Sequence, residues 1–274
     1  MRYCAGMEVL QIPGPSTLAP LVFLHEGLGS VAMWQGRAGN WPLQVCQAAG
    51  RAGWVYSRRG YGQSSAIPDV RGSGRLSADY MHREAWEVLP SLLKDWGIEN
   101  PVLIGHSDGA TIALLHAARF HVAGCVVMAP HLLVEDMTIN AIQAAKESYE
   151  EGDLRQKLLR YHADVDCAFW QWNDVWLSQA FRSFDIREEC KAITAPVLGL
   201  QGVDDAYGSL RHIDELHTAD TVERHVLPNC GHSPHKDQAQ ISLDLVVGFL
   251  KGLAYAEEHR AKSCSSNHRH CPGA

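Results

Sequence analysis

Short apolar runs recur along the chain, and longer stretches with helical periodicity separate them. The runs lie at residues 8–12, 21–25, 54–57, 102–105, 125–128, 197–200 and 224–227. Most are apolar throughout, which is typical of strands buried on both faces of a parallel sheet. Helical spacing of apolar residues follows at residues 79–96 and 110–120. This alternation predicts a doubly wound α/β fold, in which the first two runs are open to antiparallel pairing.

The alternation stops between residues 131 and 190. This stretch contains charged turns and an aromatic segment at residues 169–172, and it carries no strand pattern. We interpret residues 131–190 as a helical cap, inserted into a core formed by residues 1–130 and 191–253. The chain becomes polar and loses its periodicity after that core, so we expect residues 254–274 to form a disordered tail.

Composition limits the classes of partner. The chain has 274 residues, of which 46% are hydrophobic, and this is enough for one sizeable core. A formal net charge of −7 gives no electrostatic reason to bind nucleic acid or an anionic membrane. No apolar run approaches the roughly 20 residues that span a bilayer. We therefore expect a small-molecule substrate as the partner, with neither nucleic acid nor membrane.

Cysteine usage and the first residues bear on the cellular compartment. The eight cysteines are scattered and form no C-x-x-C pair, which fits reduced thiols in a cytoplasm. Residues 1–11 lack the basic and apolar regions of a secretory signal. The sequence therefore predicts a cytoplasmic protein. A homodimer is expected only because homodimers are common.

The strongest chemical signal is the pentapeptide Gly105-His106-Ser107-Asp108-Gly109, which matches G-x-S-x-G. It stands between an apolar run and a helical run, which is the context of a nucleophile elbow. The serine of such an elbow occupies a tight turn, and the flanking glycines are needed because the backbone segments approach each other. Ser107 is therefore the candidate nucleophile.

A serine hydroxyl needs a base within hydrogen-bond reach, and the base needs a group that orients it. His232 follows the last apolar run, in a loop that can return over the strand ends. His235 is the alternative, and we favour His232 because Gly231 lets the loop turn sharply before it. The acid is expected after the preceding strand, where Asp204 and Asp205 are adjacent and both remain candidates. The order serine, acid, histidine is the one expected for this architecture.

Attack on a carbonyl carbon also needs two backbone N–H donors for the oxyanion that develops. The N–H of Asp108 is one candidate, since it directly follows the nucleophile. The glycine-rich loop at residues 25–30 is the expected source of the second donor.

In combination and in order, these motifs resemble the α/β-hydrolase superfamily. The matching pieces are the loop 25–30 with Trp34 after it, the turn 57–64, the Ser107 elbow, the turn 202–205 and Gly231-His232. The resemblance covers nearly the whole ordered chain. It implies an α/β-hydrolase fold, in which the insertion after residue 130 is the helical cap of that family.

The resemblance also assigns roles to single residues. The acid of this family usually ends a G-x-x-D turn, which selects Asp205 over Asp204. The second oxyanion donor implied is the N–H of Gly27, with Leu28 as the alternative. The family loop usually reads H-G-x, and Glu26 stands here at its glycine position.

Other residues have weaker assignments. His131 at the start of the cap is a candidate for substrate binding, as are Trp170 and Trp176 in the aromatic segment, although such aromatic residues more often serve core packing. Residues 264–271 contain cysteine and histidine, but their spacing fits no standard zinc module, so no metal site is expected.

The function implied is that of a serine hydrolase, similar to small bacterial carboxylesterases and carbon–carbon bond hydrolases. We expect cleavage of a small carboxylic ester, thioester or lactone through an acyl-enzyme on Ser107, without a cofactor. One alternative is a cofactor-free carbon–carbon bond hydrolase with the same triad. The other is a ligand-binding protein that has this fold but no catalysis.

Overall fold

A central eight-stranded sheet organises the computed structural model, which describes residues 2–4, 6–15 and 17–267. The strands are β1 (Arg2–Cys4), β2 (Met7–Ile12), β3 (Leu21–Leu24), β4 (Gly53–Tyr56), β5 (Val102–His106), β6 (Gly124–Met128), β7 (Val197–Gly202) and β8 (Val222–Leu227). Their order across the sheet is β1-β2-β4-β3-β5-β6-β7-β8.

The pairing of these strands is mostly parallel. From β3 to β8 every pairing is parallel, whereas β2 runs antiparallel to both β1 and β4. Of the two runs that were open to antiparallel pairing, the first is therefore antiparallel and the second is parallel. The predicted α/β fold with a mostly parallel sheet is confirmed.

Strand β3 shows why the apolar runs are continuous. Leu21 and Phe23 belong to one hydrophobic core, and Val22 and Leu24 belong to the other. Successive side chains of a strand point to opposite faces of the sheet, so a strand covered on both faces must be apolar at every position. All four residues are buried.

Helices cover both faces of the sheet. They are α1 (Trp41–Ala49), α2 (Tyr80–Arg83), which continues through a π-helical segment (Glu84–Val88) into α3 (Leu89–Trp96), α4 (Asp108–Ala117), and the later helices α9 (Arg211–Asp214), α10 (Pro234–Asp237) and α11 (Ala239–Asn267). Local sequence sets the bounds of α1. The Asn40 side chain accepts a hydrogen bond from the Leu43 N–H at its start, and Gly50 ends it in the left-handed conformation.

The segment between β6 and β7 is helical, as the cap interpretation expected. It contains α5 (Asp136–Glu150), α6 (Leu154–Leu158), α7 (Val165–Trp176), a short 3-10 helix (Gln179–Ser183) and α8 (Arg187–Cys190). Its one extended pairing among the described residues is an isolated bridge between Leu133 and Asp185.

The last helix corrects one prediction. Helix α11 continues to Asn267, so residues 254–267 are helical and not the disordered tail that the loss of apolar periodicity suggested. Alanine, glutamate, lysine and arginine, which favour helix, are frequent after residue 253, and extending an existing helix is easier than nucleating one. The remainder of the predicted tail, residues 268–274, lies outside the described residues. Within the described chain, no helix combines the length and apolar character needed to cross a bilayer.

Candidate active site

Ser107 stands at the carboxyl end of β5 in a strained backbone conformation, with φ at 54° and ψ at −120°. The glycines on either side make this turn possible. A Cβ on Gly105 would lie 2.3 Å from the Gly109 carbonyl oxygen, and one on Gly109 would lie 2.1 Å from the Leu24 carbonyl oxygen. Helix α4 begins at the next residue. The chain thus adopts the elbow that the pentapeptide predicted.

The three side chains proposed as a triad meet at the carboxyl ends of three parallel strands. His232 Nε2 lies 2.9 Å from Ser107 Oγ. His232 Nδ1 lies 2.9 Å and 2.8 Å from the two carboxylate oxygens of Asp205. The serine and the acid are buried, and the histidine is partly exposed. In serine hydrolases an arrangement of this kind activates the serine hydroxyl.

The two competing residues lie elsewhere. His235 is buried, and its ring centroid is 4.9 Å from that of Trp34 and 5.8 Å from that of Trp41. Asp204 is exposed to solvent. The geometry therefore favours His232 over His235 and Asp205 over Asp204, as the sequence argument did.

The Asp205 carboxylate is fixed by two further donors. Gln201 Nε2 donates to Oδ2 at 2.7 Å, and the Tyr207 backbone N–H donates to Oδ1 at 2.8 Å. Together with His232 they direct both oxygens of a buried charge to hydrogen-bond donors, which keeps such a charge stable. The acid is therefore held in one orientation toward the base.

A buried arginine shapes the loop opposite the nucleophile. The Arg58 guanidinium donates to the carbonyl oxygens of His25 at 2.6 Å and Glu26 at 3.0 Å. In a trans peptide the N–H points away from the C=O, so the Gly27 N–H is directed away from Arg58. Gly27 and Leu28 both line the cavity above Ser107. These two residues therefore border the space above the nucleophile.

Asp108 lines the same cavity, and its side chain is hydrogen-bonded to Tyr80. The Tyr80 hydroxyl donates to Asp108 Oδ2 at 2.6 Å, and the Trp176 indole N–H donates to the Tyr80 oxygen at 3.0 Å. Burial raises the pKa of this carboxyl, and Arg58, whose nitrogen is 3.9 Å from Oδ2, opposes that rise. As the first residue of α4, Asp108 has a backbone N–H without a partner inside the helix.

The cavity over Ser107 has a volume of about 170 Å³. Its walls come from the glycine-rich loop at residues 25–30, from the loops that carry Ser107 and His232, and from cap helices α5 and α7. The lining residues are Glu26, Gly27, Leu28, Ser107, Asp108, His131, Ile142, Trp172, Trp176, Tyr207, His232 and Ser233. The cap therefore forms one side of the candidate site.

The aromatic segment of the cap is divided between this cavity and its exterior. Trp176 lines the cavity, as expected, but Trp170 does not, and Trp172 takes its place. Trp170 instead stacks under the Arg71 guanidinium, with 3.7 Å between guanidinium carbon and ring centroid. Residues four apart share a helix face, whereas residues two apart do not. Trp172 belongs to the same aromatic set in the sequence, and its four-residue spacing from Trp176 accounts for their common face.

His131, which the sequence offered as a candidate for substrate binding, also lines the cavity. Its Nε2 lies 3.4 Å from Ser107 Oγ. Ile142, Tyr207 and Ser233 line the cavity too, and no sequence motif singled them out. Neither Ile142 nor Tyr207 belongs to a pattern that differs from ordinary packing. Among the described residues, no group of three or more His, Cys, Asp or Glu side chains could hold a metal ion.

Replacing Gly27 with alanine is expected to lower both activity and stability. An added Cβ would lie 2.2 Å from Trp172 Nε1, so either the loop or helix α7 must shift. Overpacking of this kind costs about 1–3 kcal/mol. Thermal unfolding and kcat/KM measure the two effects. Gly248→Ala is the matched control, because no atom lies within 4 Å of its added Cβ. Unchanged kinetics for Gly27→Ala would contradict the close packing of loop and cap.

Comparisons with known proteins show the family of this chain. A family model described as "Alpha/beta hydrolase family" matches residues 21–242. A curated relative, the sn-1-specific diacylglycerol lipase ABHD11 of Mus musculus, is 26% identical over 269 residues, covering 87% of this chain and 83% of that protein.

Solved structures show the same fold at lower identity. A carboxylesterase of the thaumarchaeon Nitrososphaera gargenis superposes with a TM-score of 0.69 at 17% identity, covering 93% of this chain and 99% of the other. The enol-lactonase of Burkholderia xenovorans LB400 gives a TM-score of 0.64 at 16% identity, covering 89% and 96%. The family match spans most of the chain and includes the elbow, the acid turn and the histidine loop. This chain belongs to the alpha/beta hydrolase family.

Proposed function

We propose that this protein is a serine hydrolase that cleaves small carboxylic esters, including thioesters or lactones, through an acyl-enzyme on Ser107. The observation that carries the proposal is the unbroken hydrogen-bonded chain from Ser107 Oγ through His232 to the Asp205 carboxylate. Esterase, lipase and lactonase names among the similar proteins support this reaction class.

The geometry accounts for each step of acyl transfer. His232 Nε2 takes the Ser107 proton while Oγ attacks the carbonyl carbon, and the N–H groups of Asp108 and Gly27 hold the oxyanion. His232 then protonates the leaving group. Water attacks the acyl-enzyme with His232 again as the base, and Asp205 keeps the imidazole proton on Nδ1 throughout.

A fluorophosphonate tests this proposal directly. Intact-protein mass spectrometry should show one phosphonyl adduct on the wild type and none on Ser107→Ala. A folded wild type that remains unlabelled and fails to hydrolyse p-nitrophenyl acetate, phenyl thioacetate and a simple lactone would overturn the proposal. Turnover of a vinylogous diketone but of no ester would instead assign carbon–carbon bond cleavage to the same triad.

The size of the cavity predicts a preference for short acyl chains. A volume of about 170 Å³ is below the roughly 300–1,000 Å³ that is typical of ligand pockets. We expect kcat/KM for p-nitrophenyl butyrate to exceed that for the laurate ester at least about tenfold, because the longer chain cannot enter without moving the cap. Steady-state assays of the ester series measure this preference.

Trp172→Ala should shift the preference toward longer chains, since it removes a wall of the cavity. Trp170→Ala is its matched control on the same helix, because that side chain stacks on Arg71 outside the cavity. A shift of equal size in both variants would mean that the cavity wall does not set the chain length.

A further inference from the structure

A second histidine faces the nucleophile, although the triad does not use it. His131 follows β6, and its Nε2 lies 3.4 Å from Ser107 Oγ. The same oxygen is 2.9 Å from His232 Nε2. Distances at catalytic hydrogen bonds are often long before substrate binds and shorten in the reacting complex. His131 therefore contacts the reacting atom itself.

The surroundings hold the His131 side chain in one place. Its backbone N–H donates to Thr111 Oγ1 at 2.9 Å, and the Thr111 hydroxyl lies 3.0 Å from the His131 carbonyl oxygen. Its ring meets the Trp176 ring edge-on at 4.9 Å between centroids, and the His212 ring edge-on at 5.4 Å. The ring is buried. Such packing gives its Nε2 a fixed direction toward Oγ.

Whether His131 Nε2 and Ser107 Oγ form a hydrogen bond depends on which of the surrounding atoms carry protons. When the neutral His232 ring donates from Nδ1 to Asp205, its Nε2 accepts the single proton of the Ser107 hydroxyl. A second unprotonated nitrogen near Oγ would face only lone pairs. The contact of His131 with Oγ is therefore attractive only when His131 Nε2 carries a proton.

The other side of the His131 ring agrees with that tautomer. Nδ1 has no hydrogen-bond partner among the described residues, so no acceptor there competes for the proton. Burial first, and then His212, His232 and His106, lower the pKa of His131 well below its ordinary value. The His131 ring is thus neutral and carries one proton, on either Nδ1 or Nε2. A proton on Nε2 has Ser107 Oγ as an acceptor within reach.

We propose that His131 is a further catalytic residue, which donates its Nε2 hydrogen to Ser107 Oγ while that oxygen carries developing negative charge. The inference rests on the proposed function and adds a donor to it. During acylation the Ser107 proton moves to His232 and the bond from Oγ to the acyl carbon forms, while the carbonyl electron pair moves to the oxyanion. The carbonyl then re-forms, the bond from the acyl carbon to the leaving group breaks, and His232 gives its proton to the leaving group. During deacylation water gives a proton to His232 and bonds to the acyl carbon, the bond from Oγ to that carbon then breaks with its electron pair returning to Oγ, and His232 gives the proton to Oγ. His131 keeps its proton in both steps.

Three substitutions at position 131 separate the effect of the N–H group from that of the ring. His131→Gln retains an N–H donor at a similar distance along the side chain but lacks the ring. His131→Phe retains a ring that can pack on Trp176 but has no donor, and His131→Leu is a second variant without a donor. His116→Gln is the matched control, since His116 is also buried but bonds to the Ala85 carbonyl oxygen, away from the site.

For each variant we measure the rate constant for fluorophosphonate labelling and kcat for p-nitrophenyl butyrate. Both rates are normalised to the concentration of folded protein, which is determined by circular dichroism. We expect the Phe and Leu variants to lose about 10- to 100-fold in both rates, and the Gln variant to stay within about threefold of wild type. His116→Gln should match the wild type.

Three results would overturn the inference while leaving the proposed function intact. The Phe variant could be as active as wild type, all variants at position 131 could lose activity equally, or the Gln variant alone could be inactive. Each would show that the ring or its packing matters and the N–H does not. A wild type that neither labels nor hydrolyses any ester overturns the proposed function first, and the inference falls with it.

Discussion

Ser107→Ala is expected to reduce kcat for ester hydrolysis by about 10⁵- to 10⁶-fold. Without Oγ no acyl-enzyme forms, and the hydrogen-bonded chain of His232 and Asp205 has no nucleophile to activate. The oxyanion donors remain, so a residual rate above that of water is expected. Steady-state kinetics with p-nitrophenyl butyrate, on protein free of contaminating esterases, provide the measurement.

Thermal unfolding provides the control for this variant. Alanine and serine must adopt the same positive φ at position 107, so they bear the same backbone strain. The thermal unfolding midpoint of Ser107→Ala should therefore stay close to that of the wild type. A folded Ser107→Ala protein that retains about a hundredth or more of the activity would mean that another group attacks the substrate.

Asp205→Asn is expected to lower kcat by about 10⁴-fold with little change in fold. The Gln201 amide and the Tyr207 N–H donate to the two carboxylate oxygens, and an asparagine can accept only through one of its atoms. Its amide also favours the wrong tautomer of His232, in which Nε2 carries the proton and cannot accept the Ser107 hydrogen. The pH dependence of kcat, measured beside the wild type, reports this change in the base.

Asp204→Asn is the matched control, because it makes the same chemical change at the adjacent position. Asp204 is exposed, so we expect its variant to stay within about twofold of wild-type activity. Equal losses in the two variants, or a larger loss at position 204, would contradict the assignment of the orienting acid.

The sequence was sufficient to predict which three side chains the structure brings together at the carboxyl ends of the strands. Ser107 could be identified because the G-x-S-x-G elbow is determined within five residues, and the strand and helix around it are visible in the pattern. Asp205 and His232 each follow a strand whose carboxyl end lies at the same edge of the sheet. Parallel pairing therefore brings them together, whatever the length of chain between them.

The walls of the cavity could not be predicted in the same way. Which face of α7 meets the core depends on how the whole cap packs, and an aromatic residue satisfies packing and lining equally well. Trp170 was assigned to the site by its residue type alone, and it lies on another face from Trp172. Tyr207 lines the site because its backbone bonds to the acid, which is a tertiary relation without a sequence signature.

The course of the terminal helix was missed for a related reason. Apolar periodicity shows which part of a helix is buried. In α11 this periodicity ends near Leu253. A helix can continue past its buried part on local propensity, as α11 does to Asn267. Periodicity therefore predicted the packed length of this helix and not its full length.

The backbone conformation of Ser107 has a consequence for protein engineering. With φ at 54° and ψ at −120°, the position suits glycine better than any residue with a side chain, and such strain costs about 1–3 kcal/mol. A selection for thermostability alone would therefore favour the loss of the reactive side chain. Directed evolution of a more stable variant must therefore measure turnover in every round, because stability and activity favour different residues at position 107.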